Sequence, residues 1–157
     1  MAEIRRMSGS LAFTPPTAVE IMLNRFFGWI VARGLVGDPF YVLDVRGRKT
    51  GRIYSTPVDL LAHRERRFLV APRGHTQWSR NAKASGSVTL RRGRLVQRYA
   101  ARELAAPEKP EILKAYLDAF KSRVQRFFPV PAGSPVEAFA PLAARYAAFE
   151  LTPSRDR

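Results

Sequence analysis

The spacing of apolar residues changes once, near position 40, and that change points to a helix followed by a sheet. Between residues 18 and 33, Val19, Met22, Leu23, Phe26, Phe27, Ile30 and Val31 recur at the interval of one helix face. Thr17 and Glu20 have capping-box spacing, Pro15 and Pro16 keep the helix from starting earlier, and Gly34 offers a stop. From Phe40 the pattern becomes that of strands, over 40–45, 53–61 and 67–71, the third reached through the polar turn His63-Arg64-Glu65-Arg66. Pro57 cannot donate to a strand ladder, so it marks the second strand as an edge or a bulge. A short helix over 77–84 follows, with Thr76 as its N-cap, and then a hairpin of 87–91 and 94–103 around Arg92-Gly93. A helix over 111–126, a proline-rich loop over 127–135, a helix over 136–146 and a last strand over 147–151 complete the reading. Strands grouped in the middle, with helices before, between and after them, argue an α+β domain on an antiparallel sheet or small barrel.

A chain of 157 residues, 46% hydrophobic, suits one packed core and is too short for two comfortable domains. The expected organisation is a single domain, with 1–16 as a flexible N-terminal segment and 17–153 as the folded body. There is no cysteine, which removes disulfides, zinc-thiolate sites and a cysteine nucleophile, and fits a reducing cytoplasm. His63 and His75 cannot make a metal site by themselves, so no metal is expected. No stretch reaches the roughly 20 apolar residues of a membrane-spanning helix, and the N-terminus lacks the apolar core of a secretory signal.

The 27 basic and 13 acidic residues give a formal charge of +14 and a pI near 11.3. Such a charge favours encounter with nucleic acid, anionic headgroups or phosphorylated and polycarboxylate cofactors, and does not choose among them. No helix-turn-helix, zinc-finger or RNA-binding aromatic signature stands out, which argues against specific nucleic-acid recognition. The helix over 18–33 carries Phe26, Phe27 and Trp29 beside Arg25 and Arg33. It either packs on the core, the commoner role, or makes peripheral contact with a membrane surface.

The turn Arg46-Gly47-Arg48-Lys49-Thr50-Gly51-Arg52 sets four cations between two glycines. Its glycines let the backbone approach a ligand, and its N–H and guanidinium groups suit phosphate or carboxylate oxygens; the alternative is a solvated hairpin tip. Three further pieces follow in order: Ser55-Thr56-Pro57, Ala71-Pro72-Arg73-Gly74, and Trp78-Ser79-Arg80-Asn81, with Val88-Thr89-Leu90 beyond. Together the four resemble the deazaflavin-dependent nitroreductase family, split β-barrel oxidoreductases that use coenzyme F420. The resemblance implies a mainly antiparallel, FMN-binding-like split barrel with an N-terminal amphipathic helix and flanking helices.

What the resemblance implies for the site is a set of cofactor contacts in four pieces. Arg48, Lys49, Thr50 and Arg52 match the turn, and Tyr54, Ser55, Thr56 and Pro57 the next strand, where an arginine common at the position of Tyr54 is missing. Val70, Ala71, Pro72 and Arg73 match the strand end near the ring and phosphate. Gln77, Trp78 and Asn81 match the helix start that closes the pocket, where Ser79 replaces a usual aromatic. The implied activity is hydride transfer from reduced F420 to an electron-poor small molecule such as a quinone, enone or nitro compound. No catalytic side chain is implied; backbone N–H groups near Ser55 to Pro57 would face the developing charge, and Tyr54, Tyr116 or water would supply a proton. Tyr54, Phe127 and Phe128 are the substrate-side candidates, and the loss of hydroxyls at the two phenylalanines favours a more apolar acceptor. Two alternatives stay open: an FMN-binding split-barrel oxidoreductase, and a non-catalytic binder of an apolar ligand or polyanion. A homodimer is compatible with the family.

Overall fold

The computed structural model describes residues 40–155, all within the compact unit Asp38–Arg157. The expectations for the N-terminal segment, the Thr17 cap, the helix over 18–33 and its membrane contact lie outside the described residues.

Among the described residues there are seven strands: β1 Phe40–Arg46, β2 Ile53–Asp59, β3 Leu61–His63, β4 Arg66–Val70, β5 Ser87–Arg92, β6 Leu95–Glu103 and β7 Ala148–Pro153. They form one sheet in the order β2-β1-β5-β6-β7-β4-β3, with every neighbouring pair antiparallel. Helix α1 spans Gln77–Ser85 and α2 spans Lys109–Val124. The expected second strand is divided, β2 ending at Asp59 and β3 beginning at Leu61. Pro57 does lie on an edge strand, paired with Val42 of β1. The expected helix over 136–146 is instead a run of 3-10 turns, Val136–Arg145, with Pro141 inside it. Proline removes an amide donor and clashes with the preceding turn, so a regular α-helix cannot run through that position.

Alternation along the strands builds the interior. Leu43 and Val45 of β1 face inward, and their cross-strand partners Thr56 and Tyr54 of β2 share that face. Leu43, Val58, Leu69, Val88, Tyr99 and Leu151, drawn from six strands, meet in one buried cluster. A flat sheet would hold these side chains far apart; their convergence requires the curl of a half-barrel. The opposite face of β4 carries Phe68 and Val70, which pack with Leu113, Leu117 and Phe120 of α2 and with Phe139. The apolar residues of α2 recur three and four apart, which is why its buried stripe fits the sheet. This is the expected α+β split barrel. Among the described residues no helix is long and apolar enough to cross a membrane, and no group of acidic and histidine side chains could hold a metal.

Candidate functional site

The turn between β1 and β2 is closed from within. Gly47 N–H donates to the Arg52 carbonyl at 2.6 Å, and Gly51 N–H donates to the Gly47 carbonyl at 2.9 Å. Gly51 sits in the left-handed region at φ 71°, where other residues are strained. Gly47 lets side chains come close: a Cβ there would lie 2.5 Å from Tyr54 Cε2 and 2.9 Å from Thr50 Oγ1, so both side chains would have to shift. Thr50 Oγ1 accepts from the Arg52 N–H at 3.2 Å and shares a 3.0 Å hydrogen bond with the Tyr54 hydroxyl. Arg46 Nη1 donates to the Gly51 carbonyl at 3.0 Å. The fold therefore holds Thr50 and Tyr54 side by side at the mouth of the turn, with Lys49 exposed next to them.

Helix α1 is fixed against the same turn. The Thr76 side chain caps it by accepting from Ser79 N–H, and Gly86, in the left-handed conformation, ends it. Trp78 packs on the inner cluster with its ring 6.0 Å from Phe149. The buried Asn81 then presents Oδ1 to the turn, where it accepts from the Arg48 backbone N–H at 3.1 Å and from Arg48 Nη1 at 2.7 Å. Arg48 Nη1 also donates to Gln77 Oε1 at 3.1 Å. Three predicted cofactor residues from two distant motifs are thus joined directly. Hydrogen bonds to a charged donor are among the stronger ones, each contributing about 1.5–3 kcal/mol.

The third motif is brought to a different neighbour. Val70 and Ala71 are buried, and the Ala71 N–H donates to the Ala147 carbonyl at 2.9 Å. A tight turn follows, with Gly74 at φ 101° and its N–H donating to the Ala71 carbonyl at 3.0 Å. Arg73 lies over the Phe127 ring, 5.2 Å from its centroid, and Arg126 lies 4.7 Å from the same ring. Such contacts hold a guanidinium in place without neutralising it. One cofactor-side candidate and one substrate-side candidate therefore meet, with Pro72 between Ala71 and Arg73 half-buried.

Two candidates, Phe128 and Tyr116, need correction, and Ser55 keeps only the backbone role expected of it. Phe128 is buried in the outer core and stacks on Tyr146 at 4.7 Å, which takes its ring away from any substrate surface. The Ser55 hydroxyl donates to Asp44 Oδ1 at 2.6 Å, on the sheet face opposite Tyr54 and Thr56. It is engaged with a carboxylate, and only the backbone of Ser55 can serve a ligand on the inner face. Tyr116 is buried in the core, and burial pushes its phenol pKa far up. Tyr116 belongs to the outer cluster with α2, not to the inner cluster that Trp78 packs on, so Tyr116→Phe is expected to leave turnover unchanged; a fall of tenfold or more in kcat would restore it as a proton donor.

Asp44 is the polar residue that sequence reading passed over. It accepts from Ser55, and from Arg91 Nε at 2.5 Å and Nη2 at 3.0 Å, tying β2, β1 and β5 across their outer face. The signal was available: an aspartate inside the apolar run Tyr41-Val42-Leu43-Asp44-Val45 must find partners on the half-covered face.

The sequence profile of the F420H(2)-dependent quinone reductases matches residues 18–130. No functionally curated protein matches the chain. Among solved structures, the F420-H2-dependent reductase FDR-A is 20% identical over 73% of this chain and 95% of its own, with a TM-score of 0.49. A domain-swapped dimer is 18% identical, covering 82% of this chain and 98% of its own, with a TM-score of 0.51. The haem storage protein HutZ of Vibrio cholerae is 10% identical over 80% of this chain and 89% of its own, with a TM-score of 0.54. The profile spans the cationic turn, the capped helix and the hairpin that follows, and on it the chain belongs to the F420H(2)-dependent quinone reductase family, oxidoreductases whose cofactor is coenzyme F420.

Proposed function

We propose that the β1–β2 turn and the start of α1 form the F420 site of this chain, and that the acceptor is a quinone or comparable flat enone. The observation that carries this reading is the Asn81 carbonyl, which clamps Arg48 and so welds the turn to the helix. The donor set suits the cofactor: Arg48, Lys49 and Arg52 offer cations to phosphate and carboxylate groups, while Tyr54 and Trp78 offer aromatic surface to a flat ring. When bound and reduced, F420 supplies a hydride from C5 of its deazaflavin.

The protein's own part is to bind, orient and exclude water. β2 is an edge strand, so the backbone groups of Ser55, which point away from β1, are open to a ligand, whereas those of Thr56 face β1 and Pro57 has no N–H to give. Tyr54, 44% exposed and hydrogen-bonded to Thr50, is the side chain placed to hold a proton near the acceptor. The apolar Phe127, held against Arg73, favours a quinone or enone over a nitroaromatic. The catalytic unit is taken as one domain over 17–153 acting in the cytoplasm, with a homodimer as the assembly that the domain-swapped relative suggests.

The test separates tail from ring. Replacing Arg48 and Lys49 together by alanine is expected to weaken binding of intact F420 by about tenfold or more, with little change for a deazaflavin lacking the tail. Equal losses for both ligands would mean that this turn does not carry the tail.

A further inference from the structure

We propose that the tip of the β5–β6 hairpin is a docking surface for an anionic lipid membrane, placed at the end of the sheet away from the cofactor turn. Leu95 is 50% exposed and Val96 is 60% exposed, two adjacent large apolar side chains in the open. In a strand, neighbours point to opposite faces, so each side of the tip carries one exposed apolar side chain. Transfer of both side chains from water into an acyl layer would be favourable.

Charge complementarity identifies the occupant. Arg92, Arg94 and Arg98 stand on the hairpin with no acidic residue between Ser87 and Arg102, whereas Arg91 is engaged by Asp44 and Arg102, far from the tip, by Glu108 and Glu150. Arg94 sits in the turn itself and is exposed. Apolar side chains set among arginines match the boundary between headgroups and acyl chains of an anionic bilayer. A second copy of this chain fits poorly, since two such tips would bring like charges together. Nucleic acid would answer the arginines and leave Leu95 and Val96 without a role.

The hairpin is also braced for the task. Arg91 is ion-paired with Asp44 at its root, and the Arg92 guanidinium lies 4.8 Å from the centre of the Tyr41 ring. Val42 pairs with Arg91, so the hairpin tip lies beyond the start of β1 while the cofactor turn lies beyond its end. Seven residues of strand separate the two by roughly 20 Å. A docked tip therefore leaves the turn facing water, where a charged cofactor can reach it.

The absence of cysteine makes the test clean, because one introduced thiol gives a unique label. The full chain is labelled at Val96→Cys, and separately at Lys121→Cys on α2, with an environment-sensitive fluorophore. Both are mixed with phosphatidylcholine vesicles with and without phosphatidylglycerol. The expected result is a blue shift at position 96, none at 121, and only with the anionic vesicles. In cosedimentation the unlabelled Leu95→Ser/Val96→Ser/Arg94→Ser variant should lose about tenfold or more in vesicle affinity while binding F420 as before. No vesicle binding, equal binding by that variant, a label at 96 that stays in water, or retention on nucleic acid in place of vesicles would each overturn the proposal.

Discussion

Asn81→Leu is expected to weaken F420 binding by about ten- to a hundredfold, read as a rise in Kd by fluorescence titration. Leucine matches asparagine in branching but offers no oxygen. Its loss leaves the Arg48 backbone N–H and part of the guanidinium without the partner that now accepts both, at 3.1 and 2.7 Å. The turn is then no longer held against α1, although Gln77 Oε1 still reaches Arg48 at 3.1 Å. The fold should survive, because the rest of α1 stays anchored by Trp78 and Ala82 in the inner cluster. Unchanged affinity in a folded Asn81→Leu protein would separate the clamp from cofactor binding.

Phe149→Ala is expected to cost about 3–5 kcal/mol of stability, measured by urea denaturation. Phe149 is fully buried in β7, between β6 and β4, and belongs to the cluster that closes the half-barrel. Its ring also meets Trp78 at 6.0 Å, so the cavity left behind would loosen α1 from beneath. A typical domain is stable by only about 5–15 kcal/mol, so this single truncation removes much of the margin. A loss under about 1 kcal/mol would mean that the interior collapses around the gap and is less tightly built than the burial of Phe149 implies.

Much of this architecture is written in local pattern. The period-2 runs at 40–45 and 87–103, the glycine turns, the Thr76 cap and the edge position of Pro57 each rest on backbone rules that act over a few residues, and all appear in the fold. The split of the second strand at Leu60 and the 3-10 character of 136–145 were harder to see. Leu60 and Leu61 continue an apolar run, and only the curl of the sheet decides that β3 pairs with β4. Pro141 carried the warning for the last helical segment, but the apolar spacing of Phe139 and Leu142 concealed it.

The candidate site was legible in composition and less so in roles. The meeting of Arg48, Gln77 and Asn81 follows from which motifs were grouped together, yet the clamp itself depends on a contact 33 residues apart in sequence. Phe127 and Phe128 look alike in the chain. The structure packs Phe127 half-buried against the rim of the outer core, beneath Arg73, and buries Phe128 within it, a choice set by the direction of the backbone after α2. Ser55 and Thr56 differ in the same way, since alternation along β2 turns one hydroxyl to Asp44 and the other inward.

The most direct test of the account is a fluorescence titration of the full chain with oxidised F420, run beside FMN at low and moderate salt. The account predicts saturable F420 binding that is micromolar or tighter, persists at moderate salt and is lost with Arg48, Lys49 and Asn81. Binding of FMN alone, or F420 binding that disappears on moderate screening, would contradict it.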